Sequence, residues 1–211
     1  MSSTRLLDIA IREFGSKGLD GASTRGIAAA AGTAMSAITY HYGGKEGLYL
    51  AAADRIATLM AERLSEKLGS DALIGDHDPE GAREAIVQVM LRLVDTMASP
   101  DTETWAPFIV REQMHPTAAF DRIYAGGMAV MFSTLERVVR VATGTTSRTA
   151  RIVIITLVGQ AIALRSSRAM VLRLLEADRL SAPDLNEIKA RIAENTHAIL
   201  DRLAAEQQEQ R

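Results

Sequence analysis

The chain of 211 residues contains no cysteine. That excludes disulfides, zinc–thiolate sites and thiol-based redox sensing. Aromatic residues are only 4% of the total, so any core has to be built from Ala, Leu, Ile, Val and Met. No charge of one sign dominates: 24 Lys and Arg against 26 Asp and Glu leave a net charge of −2. A nonspecific nucleic-acid binder is normally basic, and this balance argues mildly against one. The apolar run Ile152–Leu164 is 13 residues between two arginines, short of the roughly 20 that span a bilayer, so a buried helix and no membrane partner are expected. The opening segment MSSTRLLDIAIREFG has no positive stretch followed by an apolar one. No export signal is expected, and a cytoplasmic protein is the default.

Catalytic signatures are scarce as well. There are four histidines and no Gly-Lys-Ser/Thr phosphate loop, Gly-x-Ser-x-Gly elbow, His-Glu-x-x-His or paired-carboxylate motif. The chain therefore reads as a non-enzyme with no cofactor and no metal. Asp76-His77-Asp78 has metal-ligating residue types, but in a short glycine-bounded segment such a trio is far more often a solvated turn.

What is present is helical periodicity almost throughout, with 47% hydrophobic and 24% charged residues, a globular composition. Leu6, Ile9, Ala10 and Phe14 form one stripe, and Leu48, Ala52, Ile56 and Leu59 form another on a helix expected from Lys45 to about Leu68. A polar segment, Gly69–Asp78, ends in Asp78-Pro79, a strong helix start because Asp caps and Pro tolerates the first helical position. The helix carrying Ile86, Val89, Met90, Leu93 and Met97 follows. Ser99-Pro100 and His115-Pro116 repeat the punctuation. They open a short helix with Trp105, Phe108 and Ile109 and a longer one from Phe120 to Val138, which ends at Gly144. Thr146-Ser147 caps the apolar helix. After the break at Leu180–Pro183 comes a last stripe of Leu185, Ile188, Ile192, Ile199 and Leu203. About nine helices and no strands are predicted.

The most informative stretch is Ser23–Leu48. A short helix pattern at Arg25–Ala31 meets Gly32, a second at Met35–Tyr42 follows, and Lys45 opens the long run. Two short helices joined by a glycine-containing turn make a helix-turn-helix, whose second helix enters the DNA major groove. Ile27, Ala28 and Ala31 give the first helix an inner face, and Ile38 and Tyr42 anchor the second. Met35, Ser36, Ala37, Thr39 and Tyr40 are left facing outward. The first 48 residues hold five Lys/Arg and four Asp/Glu, so affinity has to come from a few placed phosphate contacts and from dimerisation.

The order Thr24, Ile27-Ala28, Ala31-Gly32, Ile38, Tyr40-His41-Tyr42, Lys45-Glu46 and Leu48 resembles the DNA-binding domain of TetR-type bacterial regulators, over about the first 55–60 residues. Ile9-Ala10, Phe14 and Gly18 fit the preceding helix. The sequence departs from that pattern at Thr33-Ala34, at Thr39 and at Gly43-Gly44. The resemblance implies an all-α fold, with a helix-turn-helix domain at 1–48 (extending to about 60) and a larger effector-binding and dimerisation domain at 49–211. It implies DNA contacts from Thr24 and Arg25 in the first helix of the motif and from Tyr40 and His41 at the end of the second. Lys45, at a helix start, is a phosphate candidate beside free N–H groups. Met35 and Ala37 offer apolar contact to thymine methyls, and Ser36 and Thr39 offer hydrogen bonds.

Farther along, Arg111-Glu112-Gln113, His115-Pro116-Thr117, Phe120-Asp121 and Gly159-Gln160 with Arg165, Arg168 and Arg173 resemble the effector domain of CecR-type TetR regulators. Effector lining is expected from Trp105, Phe108, Arg111, Met128, Met131 and Gln160, against the plainer reading that such stripes are core. An amide inside an apolar helix, as at Gln160, has to pair with another helix, a partner subunit or a ligand. Ile155, Ile162, Ile188, Ile192 and Ile199 are the expected dimer interface. The function expected is a homodimeric repressor on a palindromic operator of double-stranded DNA, released by a small-molecule effector. A helix-turn-helix protein acting only through protein partners, or a helical enzyme, is the alternative.

Overall fold

The computed structural model describes residues 3–74 and 78–209. Among these residues the regular structure is helical, without strands. The helices are α1 (Ser3–Gly21), α2 (Thr24–Ala31), α3 (Met35–Tyr42), α4 (Lys45–Ile74), α5 (Pro79–Ala98), α6 (Ala106–Met114), α7 (Ala118–Ile123), α8 (Ala129–Thr143), α9 (Ser147–Ser166), α10 (Arg168–Leu174) and α11 (Ala182–Glu209). A 3₁₀ turn, Pro100–Thr104, precedes α6, and a π turn, Tyr124–Met128, joins α7 to α8.

Several starts and stops follow local chemistry. Asp78 accepts from the Gly81 N–H at 2.7 Å with Pro79 at the first helical position, as expected. Thr146 accepts from the Thr149 N–H at 3.3 Å and starts α9. Ser181 and Asp184 cap α11 reciprocally: Ser181 N–H and Oγ–H donate to the Asp184 carboxylate, and Asp184 N–H donates to Ser181 Oγ.

Three expectations are corrected. α4 runs to Ile74, beyond the expected end near Leu68, so the polar segment after Gly69 is helical for a further turn. The single helix expected after His115-Pro116 is divided at Gly126-Gly127, where Gly127 has non-helical dihedrals. A Cβ on Gly126 would come within 2.5 Å of the Ala57 Cβ on α4, so the π turn depends on glycine to lie this close. The helix carrying Phe108 does not begin at Pro100 but after the 3₁₀ turn, at Ala106. The break at Ser167 between α9 and α10 further raises the number of segments above nine.

The chain forms two compact units. The first comprises the residues up to Arg63 together with Pro100–Ala129. Its core is an aromatic cluster, with the Tyr49 ring edge-on to Phe14 at 4.9 Å and stacked on Phe108 at 4.6 Å. Ile11, Ile27, Ile38, Leu48 and Ile56 fill the remaining space. α1 approaches α6 so closely that a Cβ on Gly15 would lie 3.0 Å from the Phe108 backbone nitrogen. Gly18, at φ 74° and ψ 177°, interrupts the helical backbone of α1, and a Cβ there would be 3.0 Å from the Arg111 guanidinium.

The second unit comprises Leu64–Ser99 and Val130–Arg211, with α5 packed on α9 and α11. α9 is long and apolar enough to cross a membrane by length and composition. Its Val153, Ile154, Leu157, Val158, Ala161 and Leu164 are nevertheless buried in this unit's core, as a core helix requires. Arg165 fixes the end of α5 by donating to the carbonyls of Met97 at 2.9 Å and Ser99 at 2.5 Å.

Candidate nucleic-acid interface

The helix-turn-helix forms with the boundaries its residues dictate. Ser23 caps α2 by accepting from the Gly26 N–H at 3.2 Å. Gly32 takes the left-handed conformation at φ 67°, and N–H groups of Gly32 and Thr33 bond back to the carbonyls of Ala29 and Ala28. α3 starts after Ala34 with no capping side chain and ends at left-handed Gly43, φ 76°. Ile27, Ala28 and Ala31 are buried, as is Ile38 on α3. Tyr42 is half-buried, and Tyr40 and His41 are outside with their rings edge-on at 5.0 Å.

The outer face of α3 therefore carries Met35 (47% exposed), Ser36, Thr39, Tyr40 (84% exposed) and His41, with Ala37 half-buried at its edge. Arg25 is exposed on α2, and Thr24 half-buried. Lys45 is half-buried, and its Nζ donates to the Asp20 carbonyl near the end of α1 at 3.0 Å. That bond uses one of three ammonium donors and ties the start of α4 to α1. Gly47 was missed by the sequence reading. A Cβ there would be driven into the Tyr42 carbonyl oxygen, so the close approach of α3 to α4 requires glycine. The Lys-Glu-Gly-Leu pattern carries the signal, but only the three-dimensional turn reveals the reason.

Elsewhere in the first unit, Glu112 is 1% exposed, yet both of its carboxylate oxygens are engaged. Oε1 accepts from the Tyr49 hydroxyl at 2.6 Å. Oε2 accepts from the Thr117 N–H at 3.0 Å, the Thr117 hydroxyl at 2.8 Å and the Phe120 N–H at 3.0 Å. Burial, reinforced by the bond to Glu112, pushes the Tyr49 phenol well above its ordinary value, and Arg111 partly offsets this. Sequence reading marked Glu112 only as part of a family motif.

The six residues expected to line an effector site are divided between the units. Trp105, Phe108, Arg111 and Met128 lie in the first, and Met131 and Gln160 in the second. Phe108 is wholly buried against Tyr49, and Trp105 is buried. Arg111 donates to the Ser16 carbonyl at 3.4 Å. Gln160 is half-buried and accepts from Asn195 Nδ2 on α11 at 2.9 Å, so its amide is paired helix to helix. Of the expected interface residues, Ile155 is 71% exposed, Ile162, Ile188 and Ile199 are half-buried, and Ile192 is already buried in its own unit's core. Ile152, 50% exposed one turn before Ile155, extends the apolar stripe on α9. Among the described residues no cluster could hold a metal ion, and Asp76-His77 lies outside them.

Short α2, tight turn and outward-facing α3 define a helix-turn-helix DNA-binding protein. Residues 6–52 match the profile of the bacterial regulatory proteins of the tetR family, and residues 80–203 match that of the C-terminal domain of the HTH-type transcriptional dual regulator CecR. The CecR protein of Shigella flexneri is 33% identical over 173 residues, covering 80% of this chain and 77% of that protein. The HTH-type transcriptional repressor AcnR of Corynebacterium glutamicum is 42% identical over 65 residues, 31% of this chain and 35% of AcnR. A transcriptional regulator from Rhodococcus sp. Rha1 shares the fold with a TM-score of 0.66 at 20% identity, covering 97% of this chain and 98% of that one. FadR from Bacillus subtilis, solved with stearoyl-CoA, has a TM-score of 0.61 at 14% identity over 92% and 97% of the two chains. The chain belongs to the TetR family of bacterial transcriptional regulators, with a C-terminal domain of the CecR type.

Proposed function

We propose that this regulator is a cytoplasmic, homodimeric repressor that binds a palindromic operator and leaves it when a small-molecule effector binds. The observation that carries the DNA reading is the outer face of α3, where Tyr40 and Met35 stand in solvent on a helix fixed from behind by Ile38. Large side chains left exposed on a short, rigidly held helix suit insertion into a groove that admits one helix. Tyr40, His41 and Arg25 supply hydrogen bonds to phosphates and base edges, and Lys45 has ammonium donors beyond its bond to Asp20 for a phosphate. Thr24, Ser36 and Thr39 add hydroxyl contacts, and Met35 and Ala37 apolar ones.

Dimerisation is supported by the stripe Ile152–Ile155 on α9, which water would otherwise cover. Gly159, one turn on, has open space where a Cβ would be and lets a second helix approach closely. Ile162, Ile188 and Ile199 flank this surface, giving a four-helix interface on a two-fold axis. Two recognition helices then engage half-sites about 34–36 Å apart. An effector that favours a conformation with another spacing shifts the population away from DNA. The stearoyl-CoA held by FadR supports a moderately apolar ligand, because the two chains share a fold.

The test is a gel shift of the full chain on its own upstream DNA, with candidate effectors added. Tyr40→Ala and His41→Ala should each weaken operator binding about tenfold or more without lowering the melting temperature. Unchanged affinity in both variants would refute the assignment of α3, and salt-insensitive binding would favour a protein-partner module. A ligand that releases DNA should also change the emission of Trp105, the only tryptophan.

A further inference from the structure

The Glu112 carboxylate lies outside the recognition face, yet it is buried and accepts four hydrogen bonds. It joins three helices: its own α6, α4 through Tyr49, and the start of α7 through Thr117 and Phe120. Two further ties follow on the same stretch of α4. Arg122 on α7 pairs with Asp54 at 2.6 Å, and the π turn lies against α4 at Ala57, where Gly126 permits the approach. The partners on α4, residues 49, 54 and 57, span little more than two turns directly after the helix-turn-helix.

Four donors converge on this one carboxylate, three of them on Oε2 and one on Oε1. The α7 amides alone could be satisfied by Thr117, which already accepts from the Ala119 N–H at 3.1 Å. What Glu112 adds is a bond across 63 positions of sequence to the helix that carries α3 in place. α4 abuts α3 so closely at Gly47 that a shift of α4 is a shift of the recognition helix.

We propose that residues 112–128 form a clamp on α4, and that Glu112 is a positioning residue for DNA recognition, holding α4 through Tyr49 in the placement that presents α3 to the groove. The proposal rests on the DNA-binding reading of α3.

Tyr49→Phe is the informative variant, because it keeps the edge contact with Phe14 and the stack on Phe108 and deletes only the hydroxyl. Losing one buried bond to a charged acceptor should speed hydrogen exchange of amides in 117–128 about tenfold in the free protein. Operator affinity should fall at least severalfold, well below the melting temperature and with an unchanged circular dichroism spectrum. Glu112→Gln in a chain that keeps Tyr49 should retain most of the wild-type affinity, because its amide can donate to the phenol oxygen while its carbonyl keeps α7. Exchange in 117–128 at the wild-type rate would overturn the clamp. Faster exchange with wild-type operator affinity would overturn the positioning role and leave a purely structural bond. If the wild-type chain binds no operator while Tyr49→Phe still accelerates exchange, the clamp stands and the DNA reading fails.

Discussion

Replacing Gly47 by alanine sets two physical effects against each other, and their signs differ. Gly47 is the third residue of α4, and by helix propensity alone an alanine there stabilises by about 1 kcal/mol. The tertiary arrangement demands the reverse. The new methyl would overlap the Tyr42 carbonyl oxygen, and relieving the clash means moving the end of α3 away from the start of α4 by more than an ångström. Overpacking of this kind costs about 1–3 kcal/mol, and the upper end applies because the obstacle is backbone and cannot rotate aside. The net effect should be a loss of about 1–2 kcal/mol, or a melting temperature lower by roughly 2–8 °C in a chain of this size. Since the displaced element is the recognition helix, operator affinity should drop by about tenfold or more. Thermal denaturation followed by circular dichroism and a gel shift measure the two quantities. A Gly47→Ala protein that melts above the wild type and binds operator equally well would refute the steric argument.

Ile155→Glu places a charge on the exposed α9 stripe and should yield particles of the monomer mass, 22.8 kDa, that no longer bind operator. A wild-type chain that is already a monodisperse monomer by light scattering at micromolar concentration would refute the interface. At Asp184, the Ser181 hydroxyl and then the Ser181 N–H hold the carboxyl below its ordinary value. A depressed folded value means that this capping contribution is present above the unfolded carboxylate pKa and is lost as pH falls through the folded one. NMR titration should therefore find Asp184 ionised to lower pH than an unpaired aspartate, with the first turn of α11 fraying once it protonates. Ser181→Ala should return Asp184 to the ordinary range, and an unchanged titration would refute the cap.

The sequence alone determined the features set by neighbours a few residues away. Ser23, Gly32 and Gly43 bound α2 and α3 because capping and left-handed turns are local events, and Asp78-Pro79 starts α5 for the same reason. The all-helical class and the buried faces of α1, α2 and α4 follow from apolar residues repeating at helical spacing. The outer face of α3 was legible because burying Ile38 fixes which residues point away. Tertiary structure decided what depends on residues far apart in sequence. Pro100–Ala129 packs in the first unit because Phe108 stacks on Tyr49 and Gly15 lets α6 against α1. Nothing in the periodicity of residues 106–128 encodes that choice, since an apolar stripe fits any complementary face. For the same reason Gln160 meets Asn195, Ile192 joins its own core while Ile155 remains outside, and a glutamate in a motif becomes the acceptor for four donors from two other helices.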